Sequence, residues 1–204
     1  MPPTGARLRI AAPHSGSRTS RRGLERGATE RRDTGVQVGH VAVAGTIASF
    51  APQITAAAGV PSVEAWSAES LVVVFLAHYL PNFDVIPIKL KWAPDSFHCS
   101  YSHTILFAVL VALALWPFSA SWAVLALVSL LLHFVADSGS SVGLPLLLPF
   151  SRRRFSIYLW ADTGHSGWFA FKSTYQQAWT WVTEGGMFVV LAARFYQLHI
   201  WPFR

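Results

Sequence analysis

The chain alternates long apolar runs with short polar breaks, and Pro and Gly mark the breaks. Residues 38–60 (VGHVAVAGTIASFAPQITAAAGV) predict a weakly hydrophobic first helix that contains Pro52 and is stopped by Gly59, Val60 and Pro61. A second apolar run from about Ala65 to Leu80 carries LVVVFLAHYL and ends at Pro81. The stretch after it, NFDVIPIKLKWAPDSF, is polar, is broken by Pro87 and Pro94, and reads as a loop. The third run, His103 to Trp116, and the fourth, Ala120 to Ala136, are parted only by Pro117, Phe118 and Ser119, so the two must form an antiparallel hairpin. Each is slightly short of the ~20 residues of a full span. Phe97 to Ser102 can extend the third and Asp137 the fourth, which would place the flanking histidines inside helix ends. Residues 155–185 mix aromatic with polar groups and read as interfacial, and residues 186–201 as a last helix that contains Arg194 and His199.

This pattern predicts an all-α fold: a polytopic membrane helix bundle of four to five helices formed by residues 36–204. Composition agrees, since 52% of the 204 residues are hydrophobic and 13% charged, against ~25% charged in an average soluble domain. The formal charge of +6 is unevenly spread: residues 1–35 hold eight arginines against Glu25, Glu30 and Asp33, and the rest is close to neutral. Residues 1–35 are too poor in large apolar residues to fold, and are expected to be a solvated Arg-rich tail or a misassigned start. Nucleic-acid binding, attraction to anionic lipid and a targeting role are the other uses of such a tail; nucleic acid is not expected as a partner of the folded part. Cys99 is the sole cysteine, which excludes an intramolecular disulfide and a Cys-rich zinc motif.

Charge then orients the helices. The Arg-rich tail, Lys89 with Lys91, and Arg152 to Arg154 are separated by even numbers of crossings in a four-helix reading, so all three fall on the cytoplasmic side. His40 opens the first helix, His78 and Asp84 close the second, His98 and His103 open the third, and His133 and Asp137 close the fourth. All therefore gather at the cytoplasmic end, whereas the opposite turns, near Ser62 and Pro117, contain no histidine. Between Asp95 and Asp137 there is no Asp, Glu, Lys or Arg, yet three histidines remain. Imidazoles kept where ordinary charge is excluded point to a bound group.

His133 and Asp137 are four apart on a helix, so their Cβ atoms stand within about 5–6 Å and both can reach one metal ion. His98 and His103 straddle a helix entry. Either pair alone is as well explained by buried histidines and helix caps. Together, His40, Asp84, His98, His103, His133 and Asp137 form a sulfur-free N/O set suited to a divalent metal: zinc first, then manganese or iron. An open position on such a metal would activate water for hydrolysis, with Asp84 the expected catalytic residue that orients the water or takes its proton. His78 lies four residues before Asn82, shares its face, and is expected to be structural, with support of the metal ligands as the alternative. Cys99 is expected to be a spectator. Arg152 to Arg154 are read as a topology signal, with phosphate binding the other use. His14, His165 and His199 carry no assignment.

Four motifs in this order carry a resemblance. Gly39 and His40 match a Gly-His that opens the first helix, and Leu80, Pro81, Asn82, Phe83 and Asp84 match Leu-Pro-Asp-x-Asp. His98, Cys99, Ser100, Tyr101, Ser102, His103 and Thr104 match His-Arg-Gly-x-Thr-His-Ser, and His133 to Arg154 match a His-x-x-x-Asp followed by Gly, Pro and Leu-rich sequence ending in Pro and Arg. The chain in this way resembles the YdjM family of membrane-bound metal-dependent hydrolases of the LexA-regulated type, over roughly residues 38–160. The resemblance implies a family start near Val36 and an ester or phosphoester substrate, by likeness to zinc-dependent phospholipase and nuclease sites. Asn82, Cys99 and Thr104 depart from the motifs, and the amide of Asn82 implies a weakened metal position.

The expectation is an integral protein of the bacterial inner membrane that hydrolyses a small-molecule or lipid ester, with membrane lipid as its surroundings and substrate entry near Leu144 to Leu148. The alternative is a non-catalytic metal-binding membrane protein or divalent-ion carrier.

Overall fold

A computed structural model describes residues 38–94, 97–161, 172 and 174–198. The expectations for residues 1–35 and for His14, His165 and His199 lie outside the described residues. Among the described residues every regular element is helical, apart from two isolated bridges, Ser140 with Trp160 and Leu144 with Phe155.

The predicted first helix is present but interrupted at Phe50, giving α1 (Gly39–Ser49) and α2 (Ala51–Ala57). Pro52 has no N–H to donate to the Ala48 carbonyl. The backbone N–H of Trp66 donates to it instead, at 3.2 Å. The neighbouring Ser49 carbonyl accepts from Arg194 Nη2 at 3.1 Å, and that guanidinium lies 3.7 Å over the Phe50 ring. Both carbonyls at the break are thereby satisfied, which an apolar medium requires.

Helix α3 (Ala68–Tyr79) starts where the Ser67 side chain accepts from the Ser70 N–H, a normal N-cap. It continues into a 3₁₀ turn (Leu80–Asp84) and α4 (Val85–Lys89), so the expected loop after Pro81 is helical as far as Lys89. Pro81 and Pro87 do not prevent this: Pro81 sits at the start of the 3₁₀ turn, where its missing N–H costs nothing.

Helices α5 (Ile105–Leu115) and α6 (Ala120–Asp137) form the expected hairpin, opened by side-chain caps from Thr104 and Ser119. His98 and His103, however, do not lie inside a helix end. Thr104 is extended (φ −117°, ψ 150°) and its hydroxyl caps α5, so the helix begins only at Ile105. His103 occupies a short 3₁₀ turn (Tyr101–His103), and His98 precedes that turn. The last helix, α7 (Ala178–Gln197), starts at Ala178 rather than at residue 186.

Helix α6 packs against α1, α2, α3 and α5, while α1 also contacts α3 and α7. Small residues line these contacts, among them Ala44, Ala48, Ala51, Ala77, Ala108, Ala123 and Ala126, and allow close backbone approach. The outward faces are apolar: α5 exposes Ile105, Leu106, Val109, Leu110 and Leu113 and buries Ala108. Two helical runs, Ala68–Lys89 and Ala120–Asp137, are long and apolar enough to cross a membrane.

Helix α7 runs parallel to α1 at a constant offset. Gly39 meets Glu184 and Ser49 meets Arg194, each 145 residues apart. The Gly39 N–H donates to Glu184 Oε2 at 3.0 Å, and the Tyr175 hydroxyl donates to the same oxygen. A Cβ on Gly39 would stand 2.7 Å from Glu184 Cγ, so this contact needs glycine. Burial, and then the Glu184 carboxylate, push the Tyr175 hydroxyl up from its ordinary pKa.

Candidate metal centre

Helix direction brings the N-terminus of α1, the C-termini of α3 and α6, and the loop before α5 to one end of the bundle. Asp137, in the last turn of α6, is the centre. Its Oδ1 lies 3.0 Å from His40 Nε2, and its Oδ2 lies 3.1 Å from His133 Nε2 and 3.4 Å from His103 Nε2. The His103 and His133 Nε2 atoms are 3.5 Å apart. His78, expected to be structural, joins this cluster, with its Nε2 3.0 Å from His40 Nδ1. Among the described residues, two sets of three have ligand atoms within 4.8 Å of one another: His40, His78 and His133, and His103, His133 and Asp137. His78, His103 and His133 are fully buried.

Asp84 and His98 belong to neither set and stand one layer back. Asp84 Oδ1 accepts from His98 Nδ1 at 2.6 Å, and Oδ2 accepts from the Ser102 hydroxyl at 2.7 Å and the Cys99 N–H at 3.1 Å. Cys99 has φ +50°, a left-handed conformation that costs a non-glycine residue about 1 kcal/mol or more. Asp84 on its N–H and Arg154 Nη2 on its carbonyl (3.4 Å) hold it there. Thr104, which departs from the family motif, keeps the hydroxyl that caps α5, so this change is chemically neutral.

The loop after α6 closes over the same end. The N–H groups of Ile157 and Leu159 donate to Ser138 and Gly139 carbonyls at 2.7 and 2.9 Å. The Trp160 ring sits where a Gly139 side chain would be, since a Cβ there would lie 2.0 Å from it. Arg154 is turned inward, donating to the Val142 and Gly143 carbonyls, whereas Arg152 and Arg153 are exposed. Leu144 is buried against Ala77, Ala108 and Phe134, leaving Leu147 and Phe150 as the exposed apolar groups of that segment.

With its imidazoles neutral, the cluster holds fewer protons than its contacts need. His78 Nδ1 lies 3.2 Å from the Ser129 carbonyl, which can only accept, so the proton is on Nδ1 and the Nε2 lone pair faces His40. The Ser102 hydroxyl donates to Asp84, so it accepts from His103 Nδ1–H at 3.0 Å. In the neutral ring that leaves His103 Nε2 as a lone pair against the Asp137 carboxylate. Whichever neutral tautomer His40 adopts, one of its two contacts sets lone pair against lone pair, either at His78 or at Asp137. His133 Nδ1 is buried with no hydrogen-bond partner among the described residues. Convergent lone pairs with the far ring nitrogen anchored, as His78 is on the Ser129 carbonyl and His103 on the Ser102 hydroxyl, are the arrangement that a metal-binding imidazole needs. The residues fit a divalent cation.

The YdjM inner membrane protein family matches residues 36–201. This chain belongs to that family. No curated protein and no solved structure matches the chain significantly. As a member of the YdjM family it is a membrane protein, in keeping with the apolar exterior and with two described runs long and apolar enough to cross a membrane. Sequence reasoning placed the polar groups of this YdjM protein at one end but missed His78 as a member of the cluster. It also missed Ser102, Ser129 and Arg154 as supports. The available signal for His78 was its place at the same helix end as Asp84; its anchor, a backbone carbonyl of another helix, leaves no mark in sequence.

Proposed function

We propose that the protein is a membrane-bound metal-dependent hydrolase acting on an ester or phosphoester, with its site at the cytoplasmic face. The observation that carries the reading is Asp137 set against three imidazoles with too few protons to satisfy their contacts. His40, His103, His133 and Asp137 would hold one or two divalent cations, zinc first, with manganese and iron as the other candidates. When bound, the cation supplies Lewis-acid polarisation and a lowered pKa for water.

The chain's own residues do the rest. Asp84 accepts the His98 Nδ1 proton and so fixes the tautomer that leaves His98 Nε2 free to take a proton from water. Asp84 then balances the charge of the resulting imidazolium, acting on the water through His98. Ser102 links Asp84 to His103, so one carboxylate sets the orientation of both rings. Lys89, Lys91 and the Arg152 to Arg154 run flank this end of the bundle in the chain, which the positive-inside rule makes cytoplasmic. A carrier would place its ionisable groups near mid-membrane; their clustering at one end favours the enzyme.

Metal content of detergent-purified protein, measured by mass spectrometry, tests the reading against a His133→Ala, Asp137→Ala variant. Stoichiometric zinc or manganese in the natural protein and none in the variant is the expected result. It would be followed by a screen of phosphoesters and lipid esters. No metal in either protein under metal-replete conditions overturns the mechanism.

A further inference from the structure

We propose that His78 is itself a metal ligand. With His40 and His133 it forms an imidazole-lined position that overlaps the one made by His103, His133 and Asp137, a neutral His133 serving one of them at a time, and gives this chain a preference for zinc-like over manganese-like cations. The inference rests on the metal reading above and goes beyond it, since none of the four family motifs includes His78.

His78 is anchored as a ligand would be. It is fully buried, and the Ser129 carbonyl on α6 holds its Nδ1 proton at 3.2 Å. A ligating histidine ordinarily spends its far N–H on such a carbonyl, which fixes the ring and raises the basicity of the other nitrogen. The free Nε2 does not point at a donor of fixed identity. It points at His40 Nδ1, 3.0 Å away.

The His40 proton has two candidate acceptors: the Asp137 carboxylate, 3.0 Å from Nε2, and the neutral His78 imidazole, 3.0 Å from Nδ1. A hydrogen bond to a charged acceptor is roughly twice as strong as one to a neutral group. The proton therefore sits on Nε2 and goes to Asp137. His40 Nδ1 and His78 Nε2 are then two lone pairs facing each other, with a His133 ring nitrogen within 4.8 Å. Two nitrogens on one tetrahedral zinc, with bonds of about 2.0–2.1 Å, are about 3.3 Å apart, close to the separation observed here.

The donor set points the same way. The position lined by His40, His78 and His133 offers imidazole nitrogens and no carboxylate, a set that suits zinc better than the oxygen-preferring manganese and magnesium.

The experiment measures zinc and manganese affinities of the full-length protein in detergent by competition with a chromophoric chelator, for the natural chain, His78→Gln and His78→Cys. His78→Gln is expected to weaken zinc by more than the ~10–100-fold that loss of an outer-shell partner causes, while manganese changes by less than about 3-fold on the softness argument. Cobalt-loaded His78→Cys, made in a Cys99→Ser background, is expected to show a sulfur-to-metal charge-transfer band absent from Cys99→Ser alone. Unchanged zinc affinity in His78→Gln, equal loss of both metals, or cobalt-loaded His78→Cys without the band overturns the proposal. If His133→Ala, Asp137→Ala loses metal while the His78 variants keep it, only this inference falls; if the natural chain binds none, the hydrolase reading falls with it.

Discussion

The two ends of the bundle use polar side chains in opposite ways. At the end near Pro61 and Pro117 they serve the backbone. Ser67 and Ser119 cap α3 and α6, and the Ser121 hydroxyl donates to the Pro61 carbonyl at 2.5 Å. Trp122 Nε1 donates to Glu69 on the exposed side of the molecule. At the other end His40, His78, His103, His133 and Asp137 face one another, and with neutral imidazoles their lone pairs outnumber their protons. The first arrangement is complete without anything further. The second leaves lone pairs facing one another when its imidazoles are neutral, which a bound cation would relieve.

The contrast between the ends breaks most sharply at Asp137. His133→Ala with Asp137→Ala removes the imidazole common to both sets and the carboxylate that three histidines contact, and metal content should fall from stoichiometric to background with the helical circular dichroism retained. Asp84→Asn should sharpen it: Asn keeps the shape but offers a weaker acceptor to His98, the Cys99 N–H and Ser102. A loss of about 10–100-fold in metal affinity is expected, measured by chelator competition. Gly139→Ala tests the loop that closes the site, because its methyl group would overlap the Trp160 ring. Overpacking of this kind typically costs about 1–3 kcal/mol, read as a lower thermal midpoint in detergent. The smallest effect belongs to the far end: Ser119→Ala removes one cap and should cost about 1 kcal/mol, with metal content unchanged. A metal loss in Ser119→Ala would contradict the division between the two ends.

Much of this was legible along the chain. Hydropathy and the Pro117 to Ser119 connection specified the α5–α6 hairpin, and the alternation of helix direction was enough to gather the histidines at one end. The errors have local causes. Pro81 and Pro87 suggested a loop, yet proline at a helix start is tolerated, so Leu80 to Lys89 stayed helical. His98 and His103 were expected inside a helix, but the Thr104 cap begins α5 after them. Helix α7 was begun too late because residues 155–185 mix aromatic with polar groups and read as interfacial. In the fold Glu184 is buried, bonded to the Gly39 N–H and the Tyr175 hydroxyl.

Sequence alone determined which residues reach which end, because that depends on the length and polarity of successive segments and on the reversal of direction at each turn. The tertiary structure alone decided which ring nitrogen faces which partner. His78 is held by a carbonyl 51 residues away and His40 by a carboxylate 97 residues away. Such contacts depend on the rotation and register of helices packed side by side, quantities that side-chain packing sets and that spacing along one helix does not contain.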